Sequence, residues 1–190
     1  MDEKQLDRRV RKTKRQIRNA FTALMLEKNI ADITVREIAE LADVNRGTFY
    51  AHYKDVNDLL AQLESGIMGK VETVKRLRSP QKSEKATLLY LTNILTLCGE
   101  NVDVFKTVII KNPDPEFQKQ LLSTFKRQLL EGFAYRGEAT ETVKADYYFT
   151  FEVSGMMALA NTWIENGMKE TPAEMAAVGV DFIMRGYESL

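Results

Sequence analysis

Few residues in this chain could carry out acid–base, nucleophilic or metal chemistry. Its 190 residues include one histidine, His52, and one cysteine, Cys98. Histidine is the commonest general base and metal ligand, so a single copy removes most metal sites, and a Ser-His-acid triad would have to use His52. The sequence contains no phosphate-cradling glycine loop, no GxSxG and no metal-ligand cluster. We therefore predict that the chain is not an enzyme and holds no cofactor or metal.

An excess of basic residues near the start of the chain indicates that this part contacts a polyanion. The 27 Lys and Arg balance the 27 Asp and Glu overall, but residues 1–54 hold 12 against 8 and residues 1–20 hold 8 against 3. A small basic head on an acidic body favours a polyanion contact confined to the head. A solvated basic helix face is the alternative interpretation, and charge alone does not separate the two.

Composition is typical of a globular protein of the cytoplasm. The chain is 44% hydrophobic and 28% charged, and its lone cysteine cannot form an internal disulfide. No apolar run reaches the roughly 18 residues that a membrane helix needs. The first residues are charged and lack the apolar region of a secretory signal. We expect a cytoplasmic location and no membrane partner.

The elements that must position any site are predicted to be helices. Apolar residues recur at steps of three and four, the prolines fall where this pattern breaks, and no alternating strand pattern is present. The fold class is therefore all-α, with about nine helices. Thr34–Glu37 has the pattern of a capping box, Asp43 suits a left-handed turn residue, and Asn45 suits the N-cap of a two-turn helix over Arg46–His52.

Two helices joined by a short turn, with the second helix short and exposed, form a helix-turn-helix whose second helix enters the DNA major groove. Residues 33–55, ITVREIAELADVNRGTFYAHYKD, resemble the DNA-binding segment of the TetR family of transcriptional regulators, and the resemblance covers roughly residues 8–60. About residues 147–174 resemble the C-terminal domain common in Firmicutes members. The resemblance implies a DNA-binding head at residues 1–55 and a helical ligand-binding and dimerisation body at residues 56–190.

The resemblance assigns DNA contacts to eight residues. The Arg46 guanidinium suits a bidentate contact with guanine O6 and N7. The Lys54 ammonium, with the amides of the following helix, suits a backbone phosphate. The others cap a helix, permit close approach or donate to phosphates; the full set is Thr34, Asn45, Arg46, Gly47, Thr48, Tyr50, His52 and Lys54.

Each of these assignments has a structural alternative. Arg46 could be a solvated charge or a phosphate contact, Thr34 a cap alone, and His52 a structural histidine. The basic run over residues 8–15 could flank the duplex, enter a minor groove or form a frayed arm. Asp43 stands where many family members have glycine, and we expect the turn to form because Asp tolerates the left-handed region.

The most apolar predicted helix, over residues 142–168, indicates a dimer surface. Between Tyr147 and Ile164 twelve of eighteen residues are apolar or aromatic and only Glu152 is charged, so the helix must be covered on nearly every side. We expect a homodimer interface of four helices, two from each subunit, and the alternative is an ordinary monomeric core. The candidate residues are Phe149, Val153, Gly155, Met156, Leu159, Ala160, Trp163, Met175, Val178, Gly179, Phe182 and Gly186.

By resemblance, the helices between about residues 55 and 140 enclose a pocket for a small-molecule effector of unknown identity. Plain core is the alternative for every lining residue, and Cys98 is expected to be a small buried hydrophobe instead of a redox sensor. The candidates are Leu63, Ile67, Leu91, Ile94, Cys98, Phe105, Phe117, Leu121, Phe125, Tyr147 and Phe151.

The resemblance thus implies a ligand-responsive transcriptional regulator, a repressor that binds a palindromic operator in double-stranded DNA as a homodimer. The alternative is a TetR-like co-activator or adapter controlled by a partner protein. That alternative predicts an exposed apolar patch on the middle helices.

Overall fold

The chain folds into helices connected by short turns. The computed structural model describes residues 3–76, 84–111, 114–135 and 143–185. Within these ranges there are nine α-helices and no strand, which confirms the all-α class. A 3-10 turn, Ile30–Asp32, precedes the second helix, and a π-helical segment, Lys106–Lys111, continues the sixth. The helices are α1 (Glu3–Glu27), α2 (Val35–Leu41), α3 (Arg46–Tyr50), α4 (Val56–Arg76), α5 (Glu84–Glu100), α6 (Val102–Phe105), α7 (Pro115–Tyr135), α8 (Val143–Glu165) and α9 (Pro172–Arg185).

The helices form two compact units. The first consists of Met1–Ile67 with Asp103–Pro113, and the second of Met68–Val102 with Asp114–Leu190. The predicted head, residues 1–55, lies wholly within the first unit, which also takes in the start of α4 and the π-helical segment. The domain boundary after residue 55 stays a prediction.

The first unit packs around the apolar stripe of α1. Ile17, Phe21 and Met25 have no exposed surface, as the spacing predicts. Phe49 of α3 and Leu59 of α4 are equally buried. Truncating a buried phenylalanine to alanine costs roughly 3–5 kcal/mol. The buried Phe49 is therefore a strong apolar anchor for the short helix α3.

In the second unit, α5, α8 and α9 approach one another closely. A Cβ atom at Gly179 of α9 would lie 2.7 Å from Cε of Met156 and 3.5 Å from Cδ1 of Leu91. A side chain at this position would require the flexible end of the Met156 side chain to move. The buried Trp163 indole donates to the carbonyl of Glu170 at 3.0 Å, which fixes the loop that precedes α9.

Ion pairs and a hydrogen bond connect α7 to α4 and to α8 within the second unit. Arg127 of α7 pairs with Glu72 of α4 at 2.8 Å. Lys126 pairs with Asp146 of α8 and also donates to the hydroxyl of Thr150 at 3.1 Å. Exposed ion pairs of this kind contribute about 0–1 kcal/mol each, so they orient the helices more than they stabilise them.

Most predicted helix limits lie within a few residues of those observed. The backbone N–H of Thr171 donates to Glu174 Oε2 at 2.7 Å and that of Glu174 donates to Thr171 Oγ1 at 3.2 Å, which forms a capping box at the start of α9.

Candidate nucleic-acid interface

The N-terminus of α2 is held by a network around Glu37. Thr34 Oγ1 accepts from the backbone N–H of Glu37 at 3.3 Å, while the Glu37 carboxylate accepts from the backbone N–H and the hydroxyl of Thr34 at 2.9 and 2.7 Å. Lys28, just beyond the end of α1, donates to the other carboxylate oxygen at 2.5 Å. These donors, with Lys28 the largest contributor, lower the pKa of Glu37 to about 2. The carboxylate therefore joins the end of α1 to the start of α2.

The turn between α2 and α3 depends on Asp43. Its φ of 54° lies in the left-handed region, which Asp tolerates better than most residues. The backbone N–H of Val44 donates to the carbonyl of Ala39 at 3.0 Å and closes the end of α2. The expected turn thus forms without a glycine.

Asn45 caps α3, as predicted. Its Oδ1 accepts from the backbone N–H of Thr48 at 2.7 Å and from the Thr48 hydroxyl at 3.0 Å. A Cβ atom at Gly47 would lie 3.2 Å from the same oxygen, so the glycine leaves room for the cap. Each threonine hydroxyl has one proton, and Thr48 donates it to Asn45 as Thr34 donates its own to Glu37. A phosphate contact donated by either hydroxyl requires that proton to be redirected.

Arg46 and Tyr50 are the exposed side chains of α3. Tyr50 is 57% exposed although it is aromatic, and Arg46 is also exposed. The fully buried Phe49 meets the edge of Tyr50, with ring centroids 5.6 Å apart. Because Phe49 fixes the rotation of the helix about its axis, the guanidinium and the phenol are directed away from the core.

The segment after α3 rests on Tyr53. This side chain is buried, with its ring centroid 5.6 Å from that of Phe49 and 5.7 Å from the ammonium of Lys14. The His52 ring is half-buried, 6.4 Å from Tyr53 between centroids. The imidazole is thus supported by the protein and still partly open to a ligand.

The start of α4 places Lys54. The backbone N–H of Lys54 donates to Asp58 Oδ2 at 2.9 Å, and that of Asp58 donates to Asp55 Oδ1 at 2.8 Å. The pKa of Asp58 is lowered, chiefly by the bond from the Lys54 backbone. The Lys54 side chain is exposed beside the first turn of α4, where an ammonium and helix amides together suit a phosphate.

All eight predicted DNA-contacting residues therefore belong to the first unit, at the starts of α2 and α4 and along α3. Sequence reasoning missed two contacts that support them, those of Lys28 with Glu37 and of Lys14 with Tyr53. Lys28 is nine residues before Glu37 and the 3-10 turn lies between them, so no short motif signals their ion pair. Nothing local signals the contact between Lys14 and Tyr53, because the two are far apart in the sequence.

The predicted effector-pocket residues differ widely in burial. Tyr147 and Phe151 are 71% and 80% exposed, so they lie on the surface of the subunit, and we reassign them to the open face of α8. Periodicity identified them as apolar but could not show which face of the helix is covered. Burial raises the pKa of Cys98 to about 12, which keeps the thiol protonated. Buried candidates are Leu63, Ile67, Leu91, Cys98, Phe105, Phe117 and Leu121, and half-buried ones are Ile94 and Phe125.

An open depression of about 370 Å³ lies between α1 and the end of α2, beside Asn19, Leu41 and Asp43. None of the predicted pocket residues lines it. This depression therefore does not support the predicted effector pocket.

The predicted dimer-interface residues also differ in how deeply they are buried. Phe149, Val153, Trp163, Met175 and Gly179 are buried within their own subunit, and Met156, Leu159 and Ala160 are half-buried. Gly155, Val178 and Phe182 are exposed, and Gly186 lies outside the described residues. The exposed members, with Tyr147 and Phe151, leave an apolar surface on α8 and α9, which we call the α8–α9 face.

Neither a membrane-crossing helix nor a metal-binding group is found in the part of the chain that the structure describes. None of its helices combines the length and apolar character needed to span a bilayer. No three of its His, Cys, Asp and Glu residues are grouped as metal ligands.

A helix-turn-helix with a capped, exposed second helix, joined to further helices, defines a class of DNA-binding transcription regulators. Residues 17–63 match the family described as bacterial regulatory proteins, tetR family, and residues 87–184 match the transcriptional regulator C-terminal region. The chain belongs to the TetR family of transcriptional regulators. This is a family of regulators and not of enzymes.

Individual relatives agree with this assignment. Over 59 residues, 30% of this chain, the sequence is 41% identical to the uncharacterized HTH-type transcriptional regulator YxbF of Bacillus subtilis, but the match spans only 16% of that protein. A TetR transcriptional regulator from Streptococcus agalactiae is similar with a TM-score of 0.62 and 25% identity, over 97% of this chain and 100% of that one. FadR from B. subtilis in complex with stearoyl-CoA has a TM-score of 0.69 at 18% identity, over 90% of this chain and 97% of that one, which shows a shared fold.

Proposed function

We propose that this chain is a ligand-responsive transcriptional repressor that acts in the cytoplasm as a homodimer on a palindromic operator. The observation that carries the proposal is the short helix α3, which is capped by Asn45 and anchored by the buried Phe49, so that Arg46 and Tyr50 are exposed. A helix presented in this way suits the major groove. Arg46 has the donor geometry for guanine, the commonest specific contact.

The shortness of the recognition helix favours a dimer. α3 has five residues, which reach too few base edges for tight binding by one subunit. Two-fold dimers place two such helices about 34–36 Å apart on successive turns of DNA. The α8–α9 face supplies a surface for this association, since it exposes Phe151 at 80% and Phe182 at 45%.

The body is the proposed site of effector control. The tightly packed helices α5, α8 and α9 surround residues such as Leu91, and an effector bound among the body helices would change the spacing of the two heads. If the bound state favours the wrong spacing by about 1–3 kcal/mol, operator affinity falls roughly 5- to 150-fold. The FadR structure contains stearoyl-CoA, so a long-chain acyl-CoA is the first compound to test.

The decisive experiment is selection of binding sites from a random duplex pool by the purified chain at about 150 mM salt. A palindromic consensus bound with roughly nanomolar affinity supports the proposal. The matched control is Arg46→Ala, which removes the proposed base contact and should enrich a degenerate site. Weak, steeply salt-dependent binding without a consensus would contradict the operator and leave only phosphate contacts.

The direction of regulation needs a separate measurement. A promoter that overlaps the selected operator should give less transcript in vitro when the chain is added, and the effector should restore it. Increased transcript would contradict a repressor and favour the co-activator alternative.

The adapter alternative finds little support in the middle helices. Among the described side chains of α5 to α7, Leu89 is the one large hydrophobic residue that is strongly exposed, at 54%. A single exposed leucine is ordinary and does not make a patch. We therefore advance no second function.

A further inference from the structure

One face of α1 is strongly basic. Between Arg8 and Leu26 the chain has seven Lys and Arg and no Asp or Glu. Four of the arginines recur at steps of three, four and three, so they share one side of the helix, opposite the buried stripe. All four are exposed. We call this set the α1 ridge: Arg8, Arg11, Arg15 and Arg18.

The ridge adjoins the segment that carries the predicted phosphate contacts. Lys14 places its ammonium 5.7 Å from the centroid of Tyr53, and burial raises the pKa of Tyr53 while the positive charge of nearby Arg18 opposes that rise. Tyr53 stands between His52 and Lys54 in the chain. Asp58 of α4 is an acidic group near Lys14. The C-terminal end of the ridge is thus next to the end of the recognition segment.

The length of the ridge fits a nucleic-acid backbone. Ten residues of α-helix rise about 15 Å from Arg8 to Arg18. A DNA strand carries one charge per 3.4 Å of helix axis, so this length corresponds to about four phosphates. Arg15 and Arg18, three residues apart, carry like charges that repel one another within a helix, and a row of phosphates would relieve that repulsion.

We propose that the α1 ridge binds the sugar–phosphate backbone of the duplex beside the bases read by α3. This inference rests on the proposed function, because it requires a duplex seated at α3. The ridge adds affinity without sequence preference, since its partners are phosphates and not base edges. It extends the DNA-binding surface of each head beyond the helix-turn-helix.

The test compares the salt dependence of operator affinity between matched full-length variants. Arg8→Gln/Arg15→Gln removes two exposed ridge charges per subunit, and Lys119→Gln/Lys169→Gln removes two exposed charges from the second unit. Each phosphate contact contributes about 0.9 to the slope of log K against log salt, so the ridge variant should lose roughly 3–4 units as a dimer. The control should keep the wild-type slope, and Arg8→Lys/Arg15→Lys should recover most of the loss.

A second measurement identifies the phosphates. Operator duplexes that carry one neutral methylphosphonate each should be used to measure the affinity of both proteins. At the phosphates that the ridge contacts, the substitution should lower the affinity of the wild type and leave that of the ridge variant unchanged. An unchanged slope in a folded Arg8→Gln/Arg15→Gln variant, checked by thermal melting, would overturn the ridge alone. Failure of the wild type to bind any duplex would instead overturn the proposed function.

Discussion

Asn45 and Gly47 act together at the start of α3. The Asn45 side-chain oxygen accepts two bonds from Thr48, and Gly47 leaves the space beside that oxygen open. Glycine inside a helix normally costs roughly 0.5–1 kcal/mol relative to alanine. At Gly47 this loss of stability is offset because the Asn45 cap is undisturbed. The absence of a side chain also lets DNA approach the backbone closely.

Substitution of Gly47 by alanine tests this role. The new methyl carbon would lie 3.2 Å from Asn45 Oδ1, so we expect no gain in melting temperature and a loss of operator affinity. Gly66→Ala is the matched control, because a Cβ atom there meets nothing within 4 Å. That control should raise stability by about 0.5–1 kcal/mol. Equal stabilisation by both changes, with affinity retained, would contradict the role of Gly47.

Arg46 and Lys54 should differ in what they recognise. Arg46→Ala is expected to cost roughly 1–3 kcal/mol and to relax the preference at one base pair, because it removes a base contact. Lys54→Ala should weaken binding to all DNA sequences alike, because it removes a phosphate contact. It should also reduce the slope of log K against log salt by about one unit per head. Titrations against the operator and single-base variants, each at several salt concentrations, measure both effects. Identical profiles for the two variants would refute this division.

Between elements, the Glu37 carboxylate connects α1 to α2 more directly than the capping pattern alone predicts. It accepts from Thr34 as a cap and from Lys28 as an ion pair. Both partners favour the charged form, so the pKa of Glu37 falls to about 2. Because the first turn of α2 carries this carboxylate, the placement of the helix-turn-helix depends on its ionisation.

The stability of the head should therefore depend on pH through Glu37. A carboxyl whose pKa is lower in the folded than in the unfolded chain contributes stability above about pH 4.3, and loses it as the pH falls towards 2. The melting temperature of the wild type should exceed that of Glu37→Gln at pH 6, and the difference between the two melting temperatures should shrink steadily below pH 4.3. Glu40→Gln removes the same charge from an exposed pair with Arg36 and should change little. A difference between wild type and Glu37→Gln that is constant with pH would contradict this account.

Local signals predicted most of the head and little of the surface of the body. The caps at Thr34 and Asn45 and the turn at Asp43 follow from side chains that bond to the adjacent backbone, so a short stretch of sequence contains the whole interaction. The family resemblance assigns Tyr147 and Phe151 to a pocket, whereas both side chains are strongly exposed. Which side of α8 is covered depends on how α7, α5 and α9 pack against it, and periodicity carries no information on that.

At the scale of the whole molecule, the α8–α9 face and the short α3 have one explanation. A single head offers one five-residue recognition helix, and a single body leaves Phe151 at 80% exposure. Association through α8 and α9 would cover the aromatic ring and supply the second recognition helix. A two-fold interface uses the same patch on both subunits, so each exposed residue counts twice.

Phe151→Ser should therefore dissociate the dimer. Burial of a phenylalanine contributes roughly 1.5–3 kcal/mol, and two copies per interface would raise the dissociation constant by about a hundredfold or more. Equilibrium sedimentation should give twice 21.7 kDa for the wild type and a concentration-dependent shift towards 21.7 kDa for the variant. Leu89→Ser removes an exposed side chain from α5 and should stay dimeric.

The Phe151→Ser heads should still bind single half-sites weakly, whereas tight binding to the full palindrome should be lost, because the two recognition helices are no longer joined. A wild-type chain of 21.7 kDa at micromolar concentration would contradict the dimer itself.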